Sequence, residues 1–302
     1  MSKNPSTRCG FVALLGAPNA GKSTLLNAVV GQKIAIVTPK AQTTRSRMLG
    51  IALQNEAQLI FIDVPGIFKA KRDFEKAMVD AAWSAMADAD VVLWMHDAIK
   101  KPTDETEEML ERLARCGKPV ALVLNKVDAL DDKSRLLELV EWFSQRITLA
   151  HIFMISARSG DGVADVMAFA ASHVKEGPWL YPEDQLTDAP SRFIAAELTR
   201  EQCFMKLRDE LPYALHVETE RYEAKEDGSV AIHQIIIVEN ERQKMMVLGK
   251  GGQMLKDIGT RARQNISREL GCTAHVFLFV KVRDDWKSDA QLRSDLGLKS
   301  SV

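Results

Sequence analysis

The sequence predicts two successive architectures: a doubly wound α/β domain with a mostly parallel sheet, then a smaller α+β domain. Three observations carry this. From about Gly10 to Val174, short apolar runs alternate with helical patterns, as in chains that wrap helices over both faces of a parallel sheet. The alternation stops at "EGPWLYPEDQLTDAP" (176–190), whose three prolines, glycine and acids read as a linker. The order of elements then changes to helix, strand, strand, helix, helix, strand. A length of 302 residues fits about two domains.

The strand candidates of the first part are "FVALLG" (11–16), "AQLIFID" (57–63), "VVLWMH" (91–96), "PVALVLN" (119–125) and "HIFMIS" (151–156). Most are apolar throughout, which suits strands covered on both faces. Helical patterns fill 73–87, 103–115, 134–147 and 163–174. In the second part a helix over about 191–209 precedes strands at 213–223 and 230–239, joined by "KEDGS". A short helical segment, 242–248, meets "GKGG", and a longer helix, 252–270, leads to a strand at 273–283. The predicted boundaries are 8–176 for the first domain, 177–190 for the linker, 191–285 for the second domain and 286–302 for a tail of one short helix and a frayed end.

Composition narrows the function classes. The net charge of −1 means that any nucleic-acid role rests on a local patch rather than a global field. Four scattered cysteines, without C-x-x-C or metal spacing, read as reduced thiols of a cytosolic protein. The polar start "MSKNPSTRCG" lacks the apolar segment of a secretory signal, and no apolar run reaches transmembrane length.

"GAPNAGKS" follows a predicted strand, opens a helix and satisfies G-x-x-x-x-G-K-[ST]. Its backbone, from Gly16 through Ala17, Pro18, Asn19, Ala20 and Gly21 to Lys22, Ser23 and Thr24, is predicted to wrap phosphate oxygens, helped by the positive end of the helix dipole. Lys22 is placed to reach the β- and γ-phosphates and the Ser23 hydroxyl to coordinate Mg²⁺. "DVPG" ends the strand 57–63 with Asp63, Val64, Pro65 and Gly66. Asp63 is placed to hold Mg²⁺ through water, and the Gly66 N–H to meet the γ-phosphate. "NKVD" ends the strand 119–124. The Asp128 carboxylate suits the N1–H and exocyclic amine of guanine, a donor pair that adenine lacks. Asn125 is expected to contact the base, with the Lys126 stem on its face. "SA", Ser156 and Ala157, ends the strand 151–156 and offers backbone to guanine O6. "PKAQTTR" (39–45) supplies Thr43 and Thr44 for a first switch, one of them a Mg²⁺ ligand when the γ-phosphate is present, with Thr44 favoured. All these motifs lie where strands end, where ligands bind in such folds.

In the second part, "VLGKGGQMLKDIG" sets Gly249, Lys250, Gly251 and Gly252 between two helical segments. G-x-x-G between helices resembles the KH domain, whose loop clamps single-stranded nucleic-acid backbone. Residues 242–268 hold seven Lys/Arg and one acid, whereas 191–302 holds 18 basic and 17 acidic residues. Basic charge is thus concentrated on the G-x-x-G helices, with Lys256, Arg261 and Arg263 as candidate RNA contacts beside the loop. Most of Met246, Val247, Leu248, Leu255 and Ile258 are assigned to core. Read alone, the motif is also a plain turn and the charge run a solvated face.

Together, "GAPNAGKSTLLN", "KAQTTR", "DVPGI", "NKVD", "SA", "YPED" and "VLGKGG" closely resemble the Era family of bacterial ribosome-assembly GTPases over nearly the whole chain. Ala17 and Ala20 stand where Arg and Val are common in that family. The resemblance implies a P-loop GTPase domain followed by a type II KH domain, with GTP and GDP as ligands and Mg²⁺ as cofactor. The partners it implies are the 3′ end of 16S rRNA and the 30S subunit. It implies a cytoplasmic location with peripheral contact to the inner membrane, and it implies no obligate protein partner. Ile67 occupies the position where small signalling GTPases carry a water-orienting glutamine, so slow intrinsic hydrolysis is expected. In related potassium-using GTPases an asparagine at the Asn19 position helps to bind K⁺, which makes Asn19 a candidate K⁺ ligand. Two rival classes remain: an RNA-binding protein whose first domain is only structural, and a GTPase whose basic face meets anionic lipid. Intact Lys22, Ser23, Asp63 and Asp128 argue against the first, and G-x-x-G against the second.

Overall fold

A computed structural model describes residues 7–40, 43–70 and 72–298. The described chain divides into two compact units. The first takes residues 7–34, 44–188 and 296–298, and the second takes Ala35–Thr43 with Ala189–Asp295.

The first unit is built on β1 (Arg8–Gly16), α1 (Lys22–Val30), β2 (Met48–Gln54), β3 (Ala57–Asp63), α2 (Asp73–Asp88), β4 (Val91–Asp97), α3 (Asp104–Ala114), β5 (Val120–Asn125), α4 (Ser134–Ser144), β6 (His151–Ile155), α5 (Val163–His173) and the short β7 (Lys175–Glu176). The sheet order is β2-β3-β1-β4-β5-β6, with β7 pairing the start of β1. Strands β3, β1, β4, β5 and β6 run parallel. β3, β4 and β5 are buried at every position, the expected result for apolar strands covered on both faces.

β2 is a strand that the sequence reading does not predict. It pairs antiparallel with β3 through a two-residue connection, Asn55–Glu56, in which Asn55 has a φ of 53°. "MLGIALQ" is apolar enough for a strand, but "NE" lacks the glycine that usually marks a tight hairpin. The predicted linker begins as part of this unit. Gln58, buried near the start of β3, donates to the Tyr181 carbonyl at 2.8 Å and accepts the N–H groups of Leu180 and Tyr181 at 2.8 and 3.0 Å. Ile51 N–H donates to the Leu186 carbonyl at 2.8 Å, so the segment is fastened along the β2–β3 hairpin.

The second unit comprises α6 (Ser191–Lys206), β8 (His216–Ala224), β9 (Val230–Val238), α7 (Glu241–Leu248), α8 (Gln253–Leu270), β10 (Ala274–Val282) and α9 (Ala290–Asp295). Its three-stranded sheet has the order β10-β9-β8, with β8 antiparallel and β10 parallel to β9. The sequence α-β-β-α-α-β is the type II KH arrangement. Its core joins Cys203, Leu215, Ile236, Val247 and Ile258, with Ala262 and Ile266 continuing the buried stripe of α8 at every fourth residue. β8 starts later than the expected position 213, because Leu211–Tyr213 forms a 3-10 turn. The fold of this unit also runs past residue 285. Trp286 is fully buried, donates Nε1–H to the Ala214 carbonyl at 3.0 Å and stacks on His216. The expected frayed end includes residues 299–302, which lie outside the described residues.

Candidate functional site

The P-loop occupies the turn between β1 and α1. Gly16 has a φ of 143°, and a Cβ there would lie 2.2 Å from the Met95 carbonyl oxygen. Gly21, with a φ of 99°, caps α1 without any side-chain cap, so the first amides of the helix stay open to an anion. Lys22 is buried and donates to the carbonyls of Gly16 and Ala17, both at 3.1 Å. Burial pulls its pKa down to about 8, against the attraction of Asp63. Asn19 sits in the same loop with a φ of 65°. Gly66 packs directly on this loop, since a Cβ there would lie 2.6 Å from Pro18 N, and the Ile67 N–H donates to the Gly16 carbonyl at 3.0 Å.

Three oxygen-bearing side chains converge next to it. Ser23 Oγ donates to Asp63 Oδ2 at 2.6 Å and lies 3.0 Å from Thr44 Oγ1. Asp63 is fully buried, and its Oδ1 has no hydrogen-bond partner. Burial pushes its carboxyl above the usual carboxylate range, opposed by the Lys22 charge and by hydrogen bonds from Ser23, Thr44 and the Val64 N–H. A buried acceptor without a donor is costly unless a ligand or ion supplies the missing partner. Two hydroxyls and a carboxylate form a hard, all-oxygen donor set suited to Mg²⁺. Among the described residues no group of three or more His, Cys, Asp or Glu could hold a metal. Thr43 is not in the cluster: its hydroxyl bonds the Lys40 carbonyl at 2.9 Å and Thr38 Oγ1 at 3.0 Å.

The base motifs meet behind the loop. Asn125 is buried, with Nδ2 donating to the Ala20 carbonyl and Oδ1 accepting from the Ala157 N–H, both at 2.9 Å. The sequence reading gives this amide a contact to the base; in the structure its two ends also fasten the P-loop to the "SA" turn, and the amide carries a second N–H beyond that bond. A Cβ on Gly21 would lie 2.1 Å from Asn125 Nδ2, so that glycine is also required by the fastening. Asp128 is exposed in the turn Val127–Ala129 and keeps its carboxylate at the surface. Ser156 is buried, and its Oγ accepts the Ser159 N–H at 3.2 Å. Lys126 adopts a φ of 69° and bridges Asp97 Oδ2 at 2.7 Å. Asp97 is absent from the sequence reading. Its signal was available, because it ends β4 as Asp63 ends β3 and Asn125 ends β5. Ile67 is buried in the core beside Val64 and Trp83, so its side chain is packing material.

In the second unit, Gly249, Gly251 and Gly252 have φ of 70°, 60° and 76°. A Cβ on Gly249 would lie 2.6 Å from that of Met254, whereas nothing lies within 4 Å of one on Gly251 or Gly252. The loop is therefore tight on its inner side and open on its outer side. Lys250, Lys256, Arg261 and Arg263 are all exposed. Lys256 and Arg263, seven residues apart, share a face of α8. Arg261 is held by Asp257 at 3.2 Å, and Lys206 pairs with the same carboxylate. Of the apolar residues assigned mostly to core, Val247 and Ile258 are buried and Leu255 packs partly against them. Met246 is 48% exposed and so is not core. α7 is only two turns long, and Met245 is exposed on it as well.

Residues 11–126 match the family model described as a 50S ribosome-binding GTPase, and 210–287 match that of the KH domain. The GTPase Era of Bradyrhizobium diazoefficiens is 50% identical over 294 residues, covering 97% of this chain and 95% of that protein. That of Mesorhizobium japonicum is 47% identical, covering 99% and 96%. A crystal structure of an Aquifex aeolicus Era variant bound to GDP and AlF4⁻ has a TM-score of 0.90 and 37% identity, covering 97% of this chain and 99% of its own. A crystal structure of Era in complex with MgGDPNP and nucleotides 1506–1542 of 16S ribosomal RNA matches with the same TM-score, identity and coverage.

Proposed function

This chain belongs to the Era family of GTPases, and on that premise we propose that it binds GTP with Mg²⁺ at the strand ends of the first unit and the 3′ end of 16S rRNA along the GKGG helices of the second. It hydrolyses GTP to GDP and phosphate, and it acts in maturation of the 30S subunit. The observation that carries the reading is the Ser23–Thr44–Asp63 cluster, in which buried Asp63 keeps an unpartnered carboxylate oxygen beside a buried lysine.

The P-loop amides and Lys22 hold the β- and γ-phosphates. Ser23 and Thr44, with Asp63 through water, would hold Mg²⁺, which would neutralise phosphate charge. Thr44, already beside Ser23, would be held there while the γ-phosphate is present, and its release after hydrolysis would reset the first switch. Asp128 reads guanine, and the Asp97-anchored Lys126 presents its stem to the ring. Because Ile67 is buried and apolar, it cannot orient the attacking water, and intrinsic turnover is slow. K⁺ beside Asn19 would stabilise charge at the β–γ bridge; equal turnover in Na⁺ and K⁺ would remove that role. In the second unit Gly251 and Gly252 let RNA backbone approach, and Lys250, Lys256 and Arg263 meet its phosphates.

No helix among the described residues is long and apolar enough to cross a membrane. A cytoplasmic protein with peripheral inner-membrane contact is the corresponding proposal for location.

The test is binding of a short RNA copying the 16S 3′ end, with GTP analogue, GDP or no nucleotide, for the wild type and Gly251→Asp. Tight binding favoured by the analogue and weakened about tenfold in the variant is expected. Equal binding in all three nucleotide states would remove the switch, and RNA binding by neither protein would remove the RNA assignment.

A further inference from the structure

The middle of α6 is unlike an ordinary amphipathic helix. Glu197, Thr199, Arg200, Glu201 and Gln202 are all buried, although charged residues are seldom buried without partners. Their partners explain why. The Arg200 side chain is 1% exposed, with Nε donating to Glu197 Oε1 at 2.7 Å and Nη2 to Glu197 Oε2 at 2.5 Å. The same Nη2 donates to the Thr43 carbonyl at 2.6 Å. Glu201 Oε1 accepts the Val37 N–H at 2.9 Å, and Lys40 Nζ donates to the Leu207 carbonyl at 2.5 Å. Three successive points of the first-switch segment are thus tied to α6 or the residue after it, and Ala35–Thr43 belongs to the second unit rather than the first. One of the crossings between the units falls on the Thr43–Thr44 peptide bond. Thr43 goes with α6, while Thr44 goes with Ser23 and Asp63.

α6 also reaches the rest of its own unit. Thr199 Oγ1 donates to Gln234 Oε1 at 2.6 Å, and Gln234 Nε2 donates to Thr219 Oγ1 at 3.1 Å, linking the helix to β9 and β8. Lys206, the last residue of α6, pairs with Asp257 on α8, the helix that follows the GKGG loop.

We propose that Arg200, held in place by Glu197, is a positioning residue for the first switch: it grips the Thr43 carbonyl and so couples engagement of Thr44 at the nucleotide site to α6 and the RNA-binding helices. This rests on the functional reading given above. Nη2 serves two acceptors at once, so displacing the Thr43–Thr44 peptide costs a charge-assisted hydrogen bond in a buried setting, where such bonds are strongest. Coupling of this kind is reciprocal: RNA must alter the preference for GTP analogue over GDP by the factor by which nucleotide alters RNA affinity.

The experiment measures, in the full chain, the dissociation constants of a non-hydrolysable GTP analogue and of GDP, each with and without saturating 16S 3′-end RNA. Removing one member of a buried ion pair leaves an uncompensated charge, whereas removing both is often tolerated. The main variant is therefore the double substitution Arg200→Met with Glu197→Gln; Lys40→Ala tests the grip from the switch side at a partly exposed position. In the wild type, RNA is expected to shift the analogue-to-GDP preference by about fivefold or more, the usual range for coupled sites. The double variant is expected to bring that factor below about twofold and Lys40→Ala to lower it in part, with the GDP affinity unchanged. A merely structural role would lower every affinity together and leave the factor intact. An unchanged factor in the double variant overturns the proposal, as does a wild type that binds both ligands with no coupling. A wild type that fails to bind nucleotide or RNA overturns the functional reading itself, and this inference with it.

Discussion

The proposed nucleotide site and the proposed RNA face offer phosphates opposite settings. In the first, Lys22, Asp63, Asn125 and Ser156 are buried and hydrogen-bonded to neighbouring backbone or to Ser23, with Asp63 Oδ1 left unpartnered. In the second, Lys250, Lys256, Arg261 and Arg263 are exposed, and the outer side of the glycine loop is empty space. A compact polyphosphate that must be stripped of water needs a rigid, desolvated cradle in which each group has one place. A long, flexible RNA backbone needs cations that can follow it and release counterions. Substitutions in the first site should therefore act as near-complete losses, and those in the second as graded ones.

The sharpest break should come from Lys22→Ala. Loss of a buried charge-assisted contact is expected to weaken GTP and GDP binding by about 3 kcal/mol, roughly a hundredfold, with RNA binding in the nucleotide-free state unchanged; calorimetry on both ligands checks this. Asp128→Asn should next turn base preference toward xanthine nucleotides, because an amide presents a donor where the carboxylate presented an acceptor. Competition between GTP and XTP reads this out, and an unchanged GTP preference would remove the base assignment.

Gly251→Asp should weaken RNA binding by about tenfold through a like charge placed against phosphate, while GTP binding stays intact. Proton linkage gives a subtler contrast. Lys22 has a pKa of about 8 in the ligand-free fold, and bound phosphate must raise it. Above that pH the free lysine is neutral, so binding takes up a proton and nucleotide affinity falls with rising pH, by up to about tenfold per unit. The unfolded chain holds this proton up to the ordinary lysine value of 10.5, so the unfolded state binds more protons over that window. This group therefore makes the ligand-free fold more stable as pH rises from about 8 toward 10.5. Nucleotide titrations between neutral pH and pH 9 test the first effect. The smallest effect belongs to Lys256→Gln or Arg263→Gln, each expected to reduce the slope of log K against log salt for single-stranded RNA by about 0.7.

How legible these sites were follows from what each residue depends on. Gly16, Gly21, Lys22, Ser23 and Asp63 are set by local backbone chemistry. A phosphate loop needs glycines at positive φ, a lysine at the start of the helix and an acid at the end of a strand, so their spacing is visible in one dimension. The GKGG turn is legible for the same reason. β2 was not legible because it is an edge strand paired with β3 alone among the described strands, and its connection lacks a turn signature. Gln58, Asp97 and Arg200 were not legible because their roles depend on groups 123, 29 and 157 residues away in sequence.

The sequence by itself determined the order of the two architectures, the identity of the phosphate, base and RNA motifs and the absence of a water-orienting side chain at Ile67, because each is written in residues close together along the chain. Only the tertiary structure decided that Thr44 rather than Thr43 joins Ser23 and Asp63, that Asn125 fastens loops, and that Arg200 holds the first-switch segment. Those outcomes turn on which buried donor meets which acceptor, and packing settles that by bringing distant segments within 3 Å of one another.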